Sequence, residues 1–128
     1  MAAEKFTPTD SELAILNVLW KHGPSTVHEV RDALGQEQGY TTVLKLMQIM
    51  HDKQLVSREK EGRAHRYEAA IEKENVQQNL LDRLMDTAFD GSMSQLLQQA
   101  ISSKELDKSD WEELNQLMDK LKDQSKDT

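Results

Sequence analysis

Two sequences of the form Thr-x-x-Glu constrain the fold of this chain most strongly. They are Thr9–Glu12 and Thr26–Glu29, and each precedes an apolar stretch that stops at a glycine, Gly23 or Gly35. In such a capping box the threonine hydroxyl accepts from the glutamate amide, and the glutamate carboxylate accepts from the threonine amide. A glycine just past a helix readily takes the left-handed conformation that ends it. The sequence therefore predicts two short helices, the second over Thr26–Leu34.

The next part of the chain changes from helical to strand periodicity. A third helix is predicted from about Thr41 to Lys53, because apolar residues recur there at the spacing of one helix face: Val43, Leu46, Met47 and Met50. Leu55–Lys60 and Ala64–Ala69 are typical of two strands, joined by a turn around Gly62. Three helices followed by a hairpin is the order of a winged helix-turn-helix, and we expect residues 1–71 to form one.

Residues 72–128 contain three further helical stretches, one of them beginning with a third capping box at Ser92–Gln95. A segment of this size rarely forms a core of its own, and two-fold homodimers are the commonest oligomers. We therefore expect a mainly α protein with a small β-hairpin wing and a C-terminal helical dimerisation domain. The predicted pairing residues are Leu80, Leu84, Met85, Phe89, Leu96, Leu97, Ile101, Trp111, Leu114, Leu117, Met118 and Leu121.

Charge is distributed unevenly along the chain. The formal net charge is −7, but residues 1–71 carry only −1 and residues 72–128 carry −6. Basic residues outnumber acidic ones within 40–67, around the third helix and the hairpin. Attraction to phosphate supplies most of the non-specific affinity for DNA, so we expect that contribution to be weak here.

The third helix and the hairpin carry the candidate DNA contacts. A helix N-terminus favours a phosphate, and side chains one turn apart can reach base edges in the major groove. The alternative is that these polar residues are simply solvated. Tyr40 either contacts the DNA backbone or closes a turn, and Thr26 either caps its helix or also meets a phosphate. The candidate DNA-binding residues are Thr26, Tyr40, Thr41, Thr42, Lys45, Gln48, Arg63, His65 and Arg66.

Other chemistry has little support in the sequence. There are no cysteines, and the four histidines do not form a His-x3-His pair, so we predict no metal site and no cofactor. No nucleophile elbow or phosphate-binding glycine loop occurs, so we predict no enzyme. No apolar run approaches the ~18 residues that span a bilayer, and the first residues lack the pattern of a signal peptide. We expect a cytoplasmic protein without membrane contact.

Several short motifs together resemble the penicillinase repressor family, and the resemblance covers nearly the whole chain. The motifs are Thr9-x-x-Glu12-x-x-Ile15-x-x-x-Leu19-Trp20, Val27-x-Glu29-Val30, Tyr40-Thr41-Thr42-Val43, Leu55-Val56-x-Arg58 and Gly62-Arg63-x-x-x-Tyr67. The resemblance implies a homodimeric repressor that binds double-stranded, two-fold symmetric operators. It pairs through its C-terminal helical domain, residues 72–128, which we call the tail. The resemblance also implies that Thr41, Thr42 and Lys45 face DNA and that Arg63 lies on the wing.

The resemblance does not extend to the release signals of the family. One group is released when a protease cuts an Asn-Phe bond in the tail, and Gln98-Gln99 stand at that place here. Another group binds metal through C-terminal cysteines, which this chain lacks. Ile49 stands where many members carry an arginine, which removes one expected contact. A regulatory protease or an unidentified effector therefore stays open as a further partner.

Two other functions fit the same sequence. A winged helix can serve as a protein–protein adaptor, and the near-neutral first part of the chain favours that alternative. The tail or the histidines could also make the protein a ligand- or metal-responsive regulator. Salt-sensitive binding to DNA distinguishes the first alternative from a repressor, and a thermal shift with candidate metals and ligands tests the second.

Overall fold

The computed structural model describes residues 7–126. It confirms a mainly helical chain with a small antiparallel sheet. The chain divides into two compact units between Arg83 and Leu84, within a helix, and the domain boundary expected at residues 71 and 72 stays a prediction. The elements are α1 (Asp10–His22), β1 (Ser25–Thr26), α2 (Val27–Ala33), α3 (Tyr40–Asp52), β2 (Val56–Glu61), β3 (Ala64–Ala69), α4 (Lys73–Ala88), α5 (Met93–Ser102) and α6 (Lys108–Lys126).

The first two capping boxes form as predicted. At α1 the Glu12 amide donates to the Thr9 hydroxyl over 3.2 Å, and the Thr9 amide donates to the Glu12 carboxylate over 2.9 Å. The same pair of bonds opens α2. Of the two bonds predicted for the third box, at α5, the described residues show one, from the Gln95 amide to the Ser92 hydroxyl. They show no return bond from the Ser92 amide to the Gln95 side chain. Gln95 offers a neutral amide oxygen, which is a weaker acceptor than a carboxylate.

The sheet has three strands in the order β1-β3-β2, all antiparallel. Ser25 pairs with Tyr67, and Val56 pairs with Ala69. The predicted hairpin is therefore confirmed, but the prediction missed β1, which is two residues long and has no strand pattern of its own. Gly62 takes a φ of 62°, the positive value that glycine supplies at the first position of a tight hairpin loop.

The core of the first unit holds α3 by one face. Val43, Met47 and Met50 have no exposed surface, and Tyr67 of β3 is 1% exposed. The spacing of Val43, Met47 and Met50 in the sequence predicted that they share one face of α3. Burial of each such side chain contributes on the order of 1.5–3 kcal/mol, so rotation of α3 about its axis would be costly. The rotation of α3, and hence the set of residues that it exposes, is fixed by this packing.

The start of α4 belongs to the first unit. The Trp20 indole N–H donates to the Ile71 carbonyl over 3.1 Å, and Val76 in the first turn of α4 is fully buried. Among the described residues after Arg83, none is buried. None of the described helices is both long and apolar enough to cross a membrane.

A buried ion pair connects the beginning of α1 to the end of α3. Glu12 is 2% exposed, and its second carboxylate oxygen lies 2.8 Å from Nζ of Lys53, the residue that caps α3. Burial opposes ionisation of Glu12, but the Lys53 ammonium and the Thr9 hydrogen bonds outweigh it and hold the pKa of the carboxyl below its ordinary value. The pair therefore ties the start of α1 to the end of α3, although the two residues are 41 positions apart in sequence.

Replacing Lys53 with methionine should destabilise the fold by about 2–3 kcal/mol at neutral pH, because the Glu12 carboxylate loses its cation while buried. The folded-state pKa of Glu12 is lowered, so its stabilisation is present above its ordinary value of 4.5 and is lost as the pH falls through the folded-state pKa. The loss in the variant should therefore shrink in acid. Urea unfolding at neutral and acid pH measures both quantities.

Lys21→Met is the matched control for Lys53→Met, since Lys21 is exposed in the last turn of α1. It should change the free energy of unfolding by less than about 0.5 kcal/mol. Equal losses in the two variants, or a loss at Lys53 that does not change with pH, would contradict a stabilising pair at Glu12.

Candidate nucleic-acid interface

The outward side of α3 carries most of the predicted base contacts. With about 100° between successive residues, Lys45 lies at the centre of the side opposite the buried Val43, Met47 and Met50. The residues exposed on that side are Thr41, Thr42, Lys45, Gln48, Ile49 and Asp52, and we call them the α3 stripe. The sequence predicted the first four of these, and the structure brings them together on one surface.

The N-terminus of α3 is open, unlike those of α1 and α2. Its N-cap is Gly39, which has no side chain to accept from the first amides, and its first turn contains no acidic residue. In α1 and α2 a glutamate carboxylate occupies the corresponding position. The free amides of the first turn of α3, together with the Thr41 and Thr42 hydroxyls, can therefore bind an anion such as a phosphate.

Tyr40 begins α3 and packs against α2. Its ring centroid lies 4.5 Å from that of His28, at an interplanar angle of 33°, and 37% of the residue is exposed. Of the two alternatives for Tyr40, the ring contact supports the role of closing the turn between the two helices. The exposed part of the side chain is still available to a ligand that lies along the start of α3.

Thr26 and Ser25 have different environments although they are neighbours in β1. The Thr26 hydroxyl accepts from the Glu29 amide over 3.2 Å as the cap of α2, and the residue is half-buried. A hydroxyl that accepts keeps its own proton for a second bond, so Thr26 can cap and bind at once. Ser25 is 4% exposed and donates to the Gly23 carbonyl over 2.9 Å, which leaves it buried within the fold.

The loop of the wing consists of Gly62 and Arg63, and Arg63 is exposed. His65 is half-buried, with its ring centroid 6.3 Å from that of Tyr67 in an edge-on contact. The two predicted contacts therefore differ in access, and Arg63 is the more accessible of the two.

Arg66 connects the wing to the start of α2. Its guanidinium donates to the Glu61 carboxylate within the hairpin, to the Pro24 carbonyl over 3.1 Å, and to the Glu29 carboxylate over 3.0 Å. The Glu61 carboxylate raises the pKa of Arg66, and the pKa of Glu29 is lowered mainly by its bonds to Thr26 and further by Arg66. Two carboxylates thus neutralise Arg66, whose contact with DNA stays a prediction.

The strand register separates the charges of the wing by face. Paired residues of an antiparallel sheet share a face, so Arg58 and Lys60 lie on the face of their partners Tyr67 and His65. That face of the hairpin carries no acidic residue, whereas the opposite face carries all of its acidic residues together with Arg66: Glu59, Glu61 and Glu68. Arg58 and Lys60 are not among the predicted DNA contacts, although strand alternation in the sequence could have indicated that they share a face.

The second unit presents a different candidate surface. All of the predicted pairing residues except Leu80 lie in this unit. They are all partly or fully exposed in the single chain, with Trp111 at 46%, Leu117 at 50% and Leu121 at 53%. In α6 these residues share one side of the helix, as the sequence predicted, and Gln116 lies on the other side. Apolar faces of this kind favour a partner that covers them.

Comparison with known proteins identifies the family of the chain. The model of the penicillinase repressor family matches residues 8–120. A curated relative is the transcriptional regulator BlaI of Mycobacterium tuberculosis, which is 39% identical over 61 residues, 45% of this chain and 44% of that protein. The chain thus spans less than half the length of the curated relatives that it matches.

Two transcription regulators of known structure share the fold. The transcriptional regulator Tm0710 of Thermotoga maritima matches with a TM-score of 0.52 and 18% identity over 91% of this chain and 73% of that one. MepR, a transcription regulator of a Staphylococcus aureus multidrug efflux pump, matches with a TM-score of 0.50 and 18% identity. The match covers 96% of this chain and 84% of MepR. Monomeric BlaI of Bacillus licheniformis, solved with the blaP half-operator, matches with a TM-score of 0.47 and 25% identity. The match covers 55% of this chain and 88% of that one.

The different environments of Arg63 and Arg66 predict different effects of their loss. If the exposed Arg63 contacts a phosphate as predicted, Arg63→Ala should reduce the slope of log affinity for duplex DNA against log salt concentration by about 1. Arg66→Ala should change that slope less and should lower the midpoint of thermal unfolding, because it disconnects the wing from α2. Anisotropy titrations between about 50 and 200 mM salt, with thermal melts, measure both. Equal slopes for the two variants would contradict the prediction that Arg63 contributes more than Arg66 to DNA binding.

Proposed function

Because the chain belongs to the penicillinase repressor family, we propose that it is a transcriptional repressor that binds operator DNA through its winged helix-turn-helix. The observation that carries this proposal is the α3 stripe, which lies opposite three fully buried side chains and next to an open helix N-terminus. A helix that is buried on one face and polar on the other can lie in a major groove, while the rest of the domain holds its buried face.

Each part of the candidate interface has a distinct role in the proposal. The amides and hydroxyls at the start of α3 bind a phosphate and set the depth of the helix in the groove. Lys45 and Gln48, one turn further along, contact base edges; lysine favours guanine O6 and N7, and glutamine favours adenine N6 and N7. Arg63, at the loop of the wing, contacts the neighbouring backbone or minor groove. Asp52, at the far end of the stripe, keeps that end away from phosphate.

The proposed active form is a homodimer. Residues 1–71, which we call the head, carry a net charge of only −1, so a single head attracts phosphate weakly. Pairing through the tail joins two weak half-site contacts, because the second head binds at a high effective concentration. The exposed apolar faces of α5 and α6 support a second copy as the partner. A dimer of this kind fits an operator whose half-sites are separated by one or more helical turns, ~10 bp each.

Repression then follows from occupation of the operator, and release follows from loss of pairing. Any effector or protease that disrupts the tail dimer would separate the two heads and weaken binding to the operator. A repressor must share a compartment with its operator, so we place the protein in the cytoplasm.

The first prediction of this proposal concerns base contacts. An operator is selected from a random duplex library with the full chain, and affinities are measured by gel shift. Lys45→Ala and Gln48→Ala should each weaken binding by roughly 1–3 kcal/mol, because each removes a contact to a base edge. Gln77→Ala, at an exposed position of α4, is the control and should leave the affinity unchanged. Unchanged affinity in both α3 variants would exclude them from the interface, and failure to select any salt-sensitive duplex would favour a protein–protein adaptor.

The second prediction concerns pairing. Leu117→Glu should convert the protein from a dimer to a monomer in sedimentation velocity, since it places a charge in the proposed apolar interface. Gln116→Glu adds the same charge on the other side of α6 and should leave the dimer intact. Two variants that sediment alike, both as dimers or both as monomers, would contradict pairing through this face.

A further inference from the structure

Ile49 is the one apolar side chain of the α3 stripe. It is 36% exposed, and it lies within about 40° of Lys45 around the helix, well inside the outward side. Leu44 and Leu46, at the borders of that side, are partly buried against the core, whereas Ile49 is exposed. Its exposure is therefore not that of a residue at the margin of the core.

The chemistry of the major groove singles out a partner for such a side chain. Base edges in that groove present hydrogen-bond donors and acceptors, and the apolar group among them is the 5-methyl of thymine. An isoleucine that enters the groove beside polar neighbours gains free energy only where it meets that methyl group. Opposite any other base it would cover polar atoms without replacing their bonds to water.

On these grounds, and resting on the proposed function, we propose that Ile49 reads the 5-methyl group of one thymine in each half-site of the operator. Ile49 follows Lys45 by one helical turn, or about 6 Å along the axis. With base pairs about 3.4 Å apart, the thymine lies within about two base pairs of the base that Lys45 contacts. The stripe then combines hydrogen-bonding readout by Lys45 and Gln48 with apolar readout by Ile49. From the sequence alone, Ile49 is only a missing arginine contact.

The test removes the methyl group from the DNA and the side chain from the protein. The duplex selected by the full chain is prepared with each thymine in turn replaced by deoxyuridine, in both half-sites, which deletes the methyl and keeps the base pairing. At one position the wild-type protein should bind about three- to fivefold more weakly per half-site, the factor that one buried methyl group contributes. Ile49→Ala should bind the thymine duplex more weakly and should not distinguish it from the deoxyuridine duplex.

Two further variants make the result specific. Ile49→Val keeps a branched apolar group and should retain most of the discrimination. Gln48→Ala should bind more weakly overall and keep the wild-type ratio between the two duplexes at that position, since its contact is to another base. Thermal melts should show that Ile49→Ala folds like the wild type, as expected for an exposed position.

The outcomes separate this inference from the proposed function. If the wild type selects an operator but no thymine position loses its discrimination in Ile49→Ala, the inference about Ile49 is wrong and the repressor proposal stands. If the wild type binds no duplex in a salt-dependent manner, both fail. A deoxyuridine effect that persists unchanged in Ile49→Ala assigns the methyl contact to another residue and overturns the inference.

Discussion

The burial of one face of α3 is the constraint on which the rest of the interface depends. Val43, Met47 and Met50 are completely enclosed, and the Glu12–Lys53 ion pair holds the end of the same helix to α1. A rotation of α3 by even one residue position would expose part of this face and turn Lys45 to a border position that is partly buried against the core. The outward stripe is thus specified by apolar packing, although its own residues are polar and contribute little to stability.

The distribution of charge explains why the two units of the chain need each other in the proposed function. The domain of residues 1–71 is close to neutral, and Glu61 and Glu29 neutralise Arg66. Its positive charge is therefore local: Lys45 on α3, and Arg58, Lys60 and Arg63 on the wing. Such a head gains specificity from short-range contacts and little affinity from long-range attraction. Pairing through the apolar faces of the tail would supply the affinity that a single head lacks.

Local features of the fold could be predicted from the sequence, whereas contacts between distant residues could not. The Thr9 and Thr26 capping boxes and the buried face of α3 follow from patterns within one or two helical turns. The two-residue strand β1 exists only because β3 lies beside it. Lys53 meets Glu12, and Arg66 meets Glu29, across 41 and 37 positions of sequence, and no local pattern encodes such pairs. Arg66 consequently looked as available as Arg63, and Ile49 looked like a lost contact until the structure located it on the stripe.

The central claim is that two copies of the chain present their α3 stripes together to one symmetric site. Methylation interference at guanine N7, which probes the major groove, tests this directly on the duplex that the full chain selects. The account predicts two sets of interfering positions, related by a two-fold axis and separated by a whole number of helical turns of ~10 bp. A single set of interfering positions, or binding that is unchanged by methylation in the major groove, would contradict the proposed dimer.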